Sequence, residues 1–237
     1  MKKNKPFVSI ITPNYNGDRY LLETLKSIFN QSNQDFEYIV LDGGSKDNSK
    51  NILKKYKKKI NQLVIKKDKG MYDAVEKGIR MAKGKVIIWI NSYDLLHPKA
   101  VENVTNIFKA KPSLKWISGI TGYIKYDFKF SGIPYVYPEF IFKLGYARHD
   151  MWGYVQQESI AFKKSLFLKV GGFGIKPTIA GDYKLWLKFS KFSDLETYNI
   201  KIGYFRSWPG QDSKIKIDDY QKNSNVFFKK ISFRFFR

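Results

Sequence analysis

Three carboxylates in this chain stand where their neighbours give them more to do than solvate a surface. Asp42 closes the apolar run FEYIVLD and is followed at once by Gly43-Gly44. Asp94 ends NSYD, four polar residues set directly after the apolar run VIIWI. Asp182 opens an amphipathic helical pattern, GDYKLWLKF. A carboxylate at such a point can accept a proton, ligate a hard cation or bond backbone N–H groups. A purely structural role is open to each. Asp42 and Asp94 suit turns, and Asp182 suits a helix N-terminus, where it would cap free N–H groups and face the positive end of the dipole.

The elements that carry these residues decide which of them can meet. FVSIITP (7–13) is an apolar strand, and DRYLLETLKSIFNQ (18–31) is a helix with Leu21, Leu25, Ile28 and Phe29 on one face. FEYIVLD (36–42) is a second strand, followed by a basic helix that Ser45 or Asp47 caps and that runs to about Lys58. INQLVIKK (60–67) is a third strand, GMYDAVEKGIRMAKG (70–84) a helix closed by Gly84, and KVIIWIN (85–91) a fourth strand. Strands and helices alternating through short loops predict a parallel sheet with helices on both faces, and such sheets bind ligands at the carboxyl ends of their strands. Asn14, Tyr15, Asn16, Asp42, Lys66 to Asp68 and Asn91 to Asp94 all follow those ends, so they are expected on one rim. Neither G-x-G-x-x-G nor a P-loop lysine pattern joins any of these strands to its helix, which excludes the usual glycine-rich nucleotide cradles. Beyond 98 the pattern gives a helix near 98–110, a strand over 114–127 and an aromatic region punctuated by Gly and Pro to about 153. A short strand within 155–173, a helix over 178–192 and an alternating strand over 195–207 complete it.

Composition narrows the function classes. The 237 residues are 43% hydrophobic and 17% aromatic, enough for a buried core. The net charge of +22 comes from 37 lysines and 6 arginines. A nucleic-acid reader is expected to be richer in arginine, the residue that forks onto phosphates and guanine, so nucleic acid is not the expected partner. General attraction to anionic surfaces, including the inner face of a cell membrane, fits better. No apolar segment reaches the length of a membrane span or a signal-peptide core, and there is no cysteine. A cytoplasmic location is expected, with peripheral membrane contact as an addition. The segment NVFFKKISFRFFR (225–237), with paired phenylalanines among basic residues, reads either as a membrane-interface segment or as packing on the domain.

Five segments, in order, carry a family resemblance: SIITPNYNGDRYLLETLKSIFNQS, DFEYIVLDGGSKDNS, DKGMYDAVEKGIRMAKGKVIIWINSYD, QESIAF and AGDYKLWLKF. Over residues 7 to 208 the chain resembles the family 2 inverting glycosyltransferases. The resemblance implies the GT-A fold, a Rossmann-like α/β/α sandwich with a mostly parallel central sheet. It implies one domain over 1–210, with a nucleotide-sugar half (1–97), an acceptor half (98–210) and a basic aromatic tail (211–237). It further implies transfer of a hexose or N-acetylhexosamine from a nucleotide-diphosphate sugar, a UDP-sugar being favoured. The acceptor would be a hydroxyl of a glycan or lipid-linked acceptor in cell-surface polysaccharide synthesis.

By the same resemblance Pro13 and Tyr15 line the base and ribose pocket, and Asp42 bonds the base ring. Asp68, Lys69, Asn91 and Tyr93 lie along the nucleotide sugar. Asp94 is implied as the ligand of Mg2+ or Mn2+, and Asp182 as the general base that takes the acceptor's proton. Glu158 is placed toward the acceptor or donor sugar with a structural role as the alternative, and Trp186 reads as core with acceptor stacking as the alternative. Two departures stand out. The family commonly has Asn-Ser-Asp-Asp where this chain has Asn91-Ser92-Tyr93-Asp94, and a phenol does not coordinate a cation as a carboxylate does. Lys184 and Lys188 replace an acidic residue and an arginine that are frequent on the acceptor helix. The first departure leaves room for a second reading, a catalytically weak or inactive relative that binds nucleotide sugar or glycan.

Overall fold

The computed structural model describes residues 5–125, 128–131, 155–174, 179–208 and 218–219. The tail segment 225–237 lies outside the described residues. Strands are β1 (Val8–Asn14), β2 (Phe36–Asp42), β3 (Gln62–Ile65), β4 (Val86–Trp89), β5 (Leu95–Leu96), β6 (Trp116–Lys125), β7 (Phe128–Ser131), β8 (Ile160–Lys163) and β9 (Glu196–Arg206). Helices are α1 (Asp18–Phe29), α2 (Ser49–Tyr56), α3 (Met71–Met81), α4 (Ala100–Ala110), α5 (Lys164–Lys169) and α6 (Gly181–Phe189).

One sheet runs through all the described strands, in the order β3-β2-β1-β4-β8-β6-β9-β5, with β7 beside β6. The pairs β2–β3, β1–β2 and β1–β4 are parallel, as the alternation of strand and helix requires. β8 enters antiparallel between β4 and β6, and β9 then runs parallel to β6. The sheet is therefore a mostly parallel mixed sheet in an α/β architecture.

Both faces of the sheet are buried, which explains why its strands read as continuous apolar runs. Along β1 and β4, successive side chains alternate between two cores. Ile11, Ile87 and Trp89 face α3, α5 and α6. Val8, Ile10, Val86 and Ile88 face α1 and α4, where Leu21, Leu25, Val104 and Phe108 close the layer. Each such side chain contributes roughly 1.5–3 kcal/mol of burial.

Tight contact between α3 and the sheet rests on one glycine. A Cβ at Gly78 would meet Ile11 Cγ2 at 2.6 Å and Leu41 Cδ1 at 2.7 Å. Since α3 carries part of the site, its depth against β1 and β2 matters. Gly78→Val is expected to lose about 1–3 kcal/mol by overpacking, read as a fall in Tm of about 2–4 °C per kcal/mol. An unchanged Tm would show that the helix is not held this closely.

Candidate active site

The tips of β1, β2 and β4 border a cleft of about 700 Å3. That volume falls within the range of roughly 300–1,000 Å3 usual for cofactor-sized ligands. Its wall comes from the loop after β1 and the start of α1, the loops after β2 and β3 with the first turn of α3, the turn after β4, and Trp208 after β9.

Two side chains hold the loop after β1 and the turn after β2 together. Asn14 Nδ2 donates to Asp42 Oδ2 at 2.6 Å, and Ser45 Oγ donates to the same oxygen at 2.6 Å. Asp42 Oδ1 accepts the backbone N–H groups of Gly44 and Ser45 at 3.1 and 2.8 Å. Asp42 is only 1% exposed and is not part of the cleft wall. Its carboxylate is consumed by the turn, as the structural alternative had it, and the implied base contact gives way to a role in shaping the wall.

Asp68 is the carboxylate that does line the cleft. Its Oδ1 accepts the Gly70 N–H at 2.9 Å. A Cβ at Gly43 would stand 2.7 Å from Asp68 Oδ2, so the absence of a side chain there lets the carboxylate lie against the backbone. Pro13 and Tyr15 line this end as expected, the tyrosine 61% exposed. Lys69, expected beside them, is exposed and outside the wall, while Lys67 takes a place in it.

The turn after β4 splits the opening motif in two. Asp94 N–H donates to Asn91 O at 3.1 Å, closing a four-residue turn. Asn91, Ser92 and Tyr93 line the cleft. Asp94 points the other way and is fully buried. Its Oδ1 accepts the Arg206 N–H at 2.8 Å, and its Oδ2 accepts Asn91 Nδ2 at 3.2 Å. Burial pushes its pKa up to about 7, against the lowering effect of the Arg206 N–H, Glu158, Asn91 and the Arg206 charge. Glu158, 3% exposed, is pushed well above the carboxylate range by burial and then by the Asp94 charge.

Asp94, implied as the metal ligand, lies behind the cleft wall, where its oxygens serve the fold. Among the described residues no group of three His, Asp or Glu side chains could hold a metal ion. With Tyr93 in the wall, Asp68 is the one carboxylate that the described cleft residues offer a divalent cation.

Asp182 sits outside the cleft wall at the start of α6, half-buried. Three features place it. Ala180, immediately before the helix, takes a left-handed φ of 59°. Gly181 has no side chain, where a Cβ would meet the Tyr72 ring at 2.8 Å. Tyr72 Oη can therefore come close and donate to Asp182 Oδ1 at 3.3 Å. Tyr72 lies between Met71 and Ala74, which line the cleft, so α3 joins the cleft to Asp182. Burial, then the Asp182 charge, holds the Tyr72 pKa well above that of a free phenol, so the hydroxyl keeps its proton.

The remaining two expected residues belong to the interior. Trp186 is 1% exposed and stacks on Trp116 at 5.9 Å, in the core rather than at the acceptor face. Glu158 is likewise buried behind Asp94 rather than presented to an acceptor. Lys188 Nζ donates to the Gly172 and Phe173 carbonyls at 2.8 and 3.1 Å, fixing the loop whose Phe173 packs on Tyr72 at 5.1 Å.

A model of glycosyl transferase family 2 matches residues 9–155. The chain belongs to this family. Its relatives include an uncharacterized glycosyltransferase of Rickettsia prowazekii, 32% identical over 98% of this chain and 75% of the relative. Among solved structures, the fold matches Staphylococcus aureus TarS in complex with UDP-GlcNAc, with a TM-score of 0.66 at 15% identity over 86% of this chain and 59% of that one. It also matches the Pyrobaculum calidifontis mannosyltransferase PcManGT in complex with GDP-Man and Mn2+, with a TM-score of 0.67 at 18% identity over 92% of this chain and 61% of that one. The architecture of this family 2 chain is the GT-A fold. The chain spans 38%, 39% and 33% of the lengths of its relatives from Rickettsia felis, Rickettsia conorii and Rickettsia bellii.

Several cleft residues of the family 2 chain escaped the sequence reading: Arg19, Tyr20, Lys46 and Trp208. Arg19 carried a usable signal, since it is the second residue of the helix that leaves the β1 tip. Trp208 carried none, because it follows a strand of the other half that folds back over this rim.

The raised Asp94 pKa makes stability depend on pH. The unfolded chain loses this proton near the ordinary aspartate value of about 3.9, whereas the folded chain holds it to about 7. Between these values the folded state binds more protons, so stability falls as pH rises through that window and levels off above it. Asp94→Asn, which keeps an acceptor for Arg206, is expected to flatten much of this fall, leaving the part due to Glu158. Tm measured from pH 5 to 8 for both proteins tests it, and parallel curves would refute the assignment.

Proposed function

We propose that this chain transfers a sugar from a nucleotide-diphosphate sugar to a hydroxyl of a glycan or lipid-linked acceptor, with inversion at the anomeric carbon. The observation that carries the reading is Asp182, a carboxylate held by Tyr72 on the helix that also borders a nucleotide-sized cleft. The family supports the reaction class, and the UDP-GlcNAc and GDP-Man complexes of its structural neighbours support the donor class. Pro13, Tyr15 and Asp68 would hold the nucleoside, and Asn91, Ser92 and Tyr93 would flank the diphosphate and sugar.

Inversion in one displacement needs a single base opposite the leaving group. As the acceptor oxygen attacks the anomeric carbon, its proton passes to Asp182 and the bond to the β-phosphate oxygen breaks. Tyr72 orients the carboxylate for this, and burial of both keeps the pair aligned. No helix among the described residues is long and apolar enough to cross a membrane.

Asp182→Asn is expected to lower transfer by about 10²–10⁴-fold, the usual share of a general base, while donor affinity stays within about threefold. Nucleoside diphosphate release from UDP- and GDP-sugars over a panel of glycan and lipid-linked acceptors is the assay. Equal turnover in the variant would sink the base. Donor binding without turnover in the unmodified chain would favour the reading as an inactive binding relative.

A further inference from the structure

Resting on the donor reading above, we propose that this chain holds the donor's diphosphate with Arg19, seconded by Lys46 and Lys67, and works without a divalent cation. A diphosphate needs positive charge beside it, most of all as the leaving group departs. The usual source would be an ion on carboxylates at the turn after β4. Here that turn presents Tyr93 to the cleft and buries Asp94 behind it, bonded to Arg206 and Asn91.

Side-chain cations take the place of the ion. Arg19, Lys46 and Lys67 line the cleft against one carboxylate, Asp68. Arg19 stands at the end where charge is wanted. Its guanidinium lies 5.9 Å from the centre of the Trp208 ring and 5.0 Å from that of Tyr20, and Trp208 in turn packs on Tyr93 at 6.5 Å. Aromatic faces rather than a carboxylate hold it: none of the ion pairs among the described residues involves Arg19. Its charge is thus available to a ligand, and its planar fork of N–H donors suits two phosphate oxygens at once. In the transfer step the electron pair of the breaking C–O bond passes to the β-phosphate oxygen. Arg19 hydrogen bonds meet that charge while the acceptor proton goes to Asp182.

The test is calorimetric titration of UDP and GDP, with uridine and guanosine as controls, into the chain stripped with EDTA and into the chain with Mn2+. The expected result is diphosphate binding in EDTA within about threefold of that in Mn2+. Arg19→Ala, an exposed change, should weaken diphosphate binding about tenfold or more in EDTA, as loss of a charged pair of hydrogen bonds does, and leave nucleoside binding unchanged. Tyr93→Asp should make diphosphate binding respond to Mn2+. Diphosphate binding that appears only with Mn2+, or that ignores the loss of Arg19, overturns the proposal and leaves the donor reading standing. Failure of every nucleotide to bind in either condition overturns both.

Discussion

Arg206 reaches the turn after β4 from both its backbone and its side chain. Its N–H bonds the Asp94 carboxylate at 2.8 Å, and its Nε donates to the Tyr93 carbonyl at 2.9 Å. The same guanidinium bonds Glu23 at 2.6 Å and lies 4.3 Å over the Tyr20 ring, both on α1. One residue at the end of β9 thus ties the last strand, the first helix and the strand-tip turn into a single junction. Thr24 adds a bond from its hydroxyl to the Asp94 carbonyl at 2.8 Å. A carboxylate taken out of water is costly unless it is bonded from several sides, and Asp94 is. The direction in which Tyr93 faces follows from that requirement.

A second set of constraints acts from the opposite edge of the cleft. Ala180 in a left-handed conformation stores local strain of order 1–3 kcal/mol, which the packing of its buried surroundings must offset. Strain of this kind persists where the surrounding structure fixes the backbone, and here it delivers Asp182 to Tyr72. A polar path links the two sides through the interior. Asn91 Nδ2 donates to Gln157 Oε1 at 2.9 Å, and the neighbouring Glu158 feels the charges of both Asp94 and Asp182.

The parallel half of the sheet was legible in the sequence because its strands are buried on two faces and separated by clear helical periods. The rim of strand tips followed from that topology, and Pro13, Tyr15, Asp68, Asn91 and Tyr93 do border one cleft. What the sequence hid was direction within a motif. Asp42 and Asp94 differ from cleft residues only in which way a turn aims them, and turns are set by long-range partners such as Ser45 and Arg206. Trp186 shows the same limit on a helix, where aromatic character alone does not separate a core from a binding face. Antiparallel insertion of β8 between β4 and β6 was equally invisible, since it depends on pairing across more than seventy residues of chain to β4 and more than forty to β6.

Adjacent residues at the β4 tip answer to different masters. Position 94 is committed to the junction, whereas position 93 faces the cleft with its ring against Trp208 and its backbone carbonyl already secured. In this chain the ligand-facing residue of the motif is thereby separated from the scaffold: the bonds that fix the turn run through the side chain at 94 and the backbone at 93, and leave the side chain at 93 to the cleft.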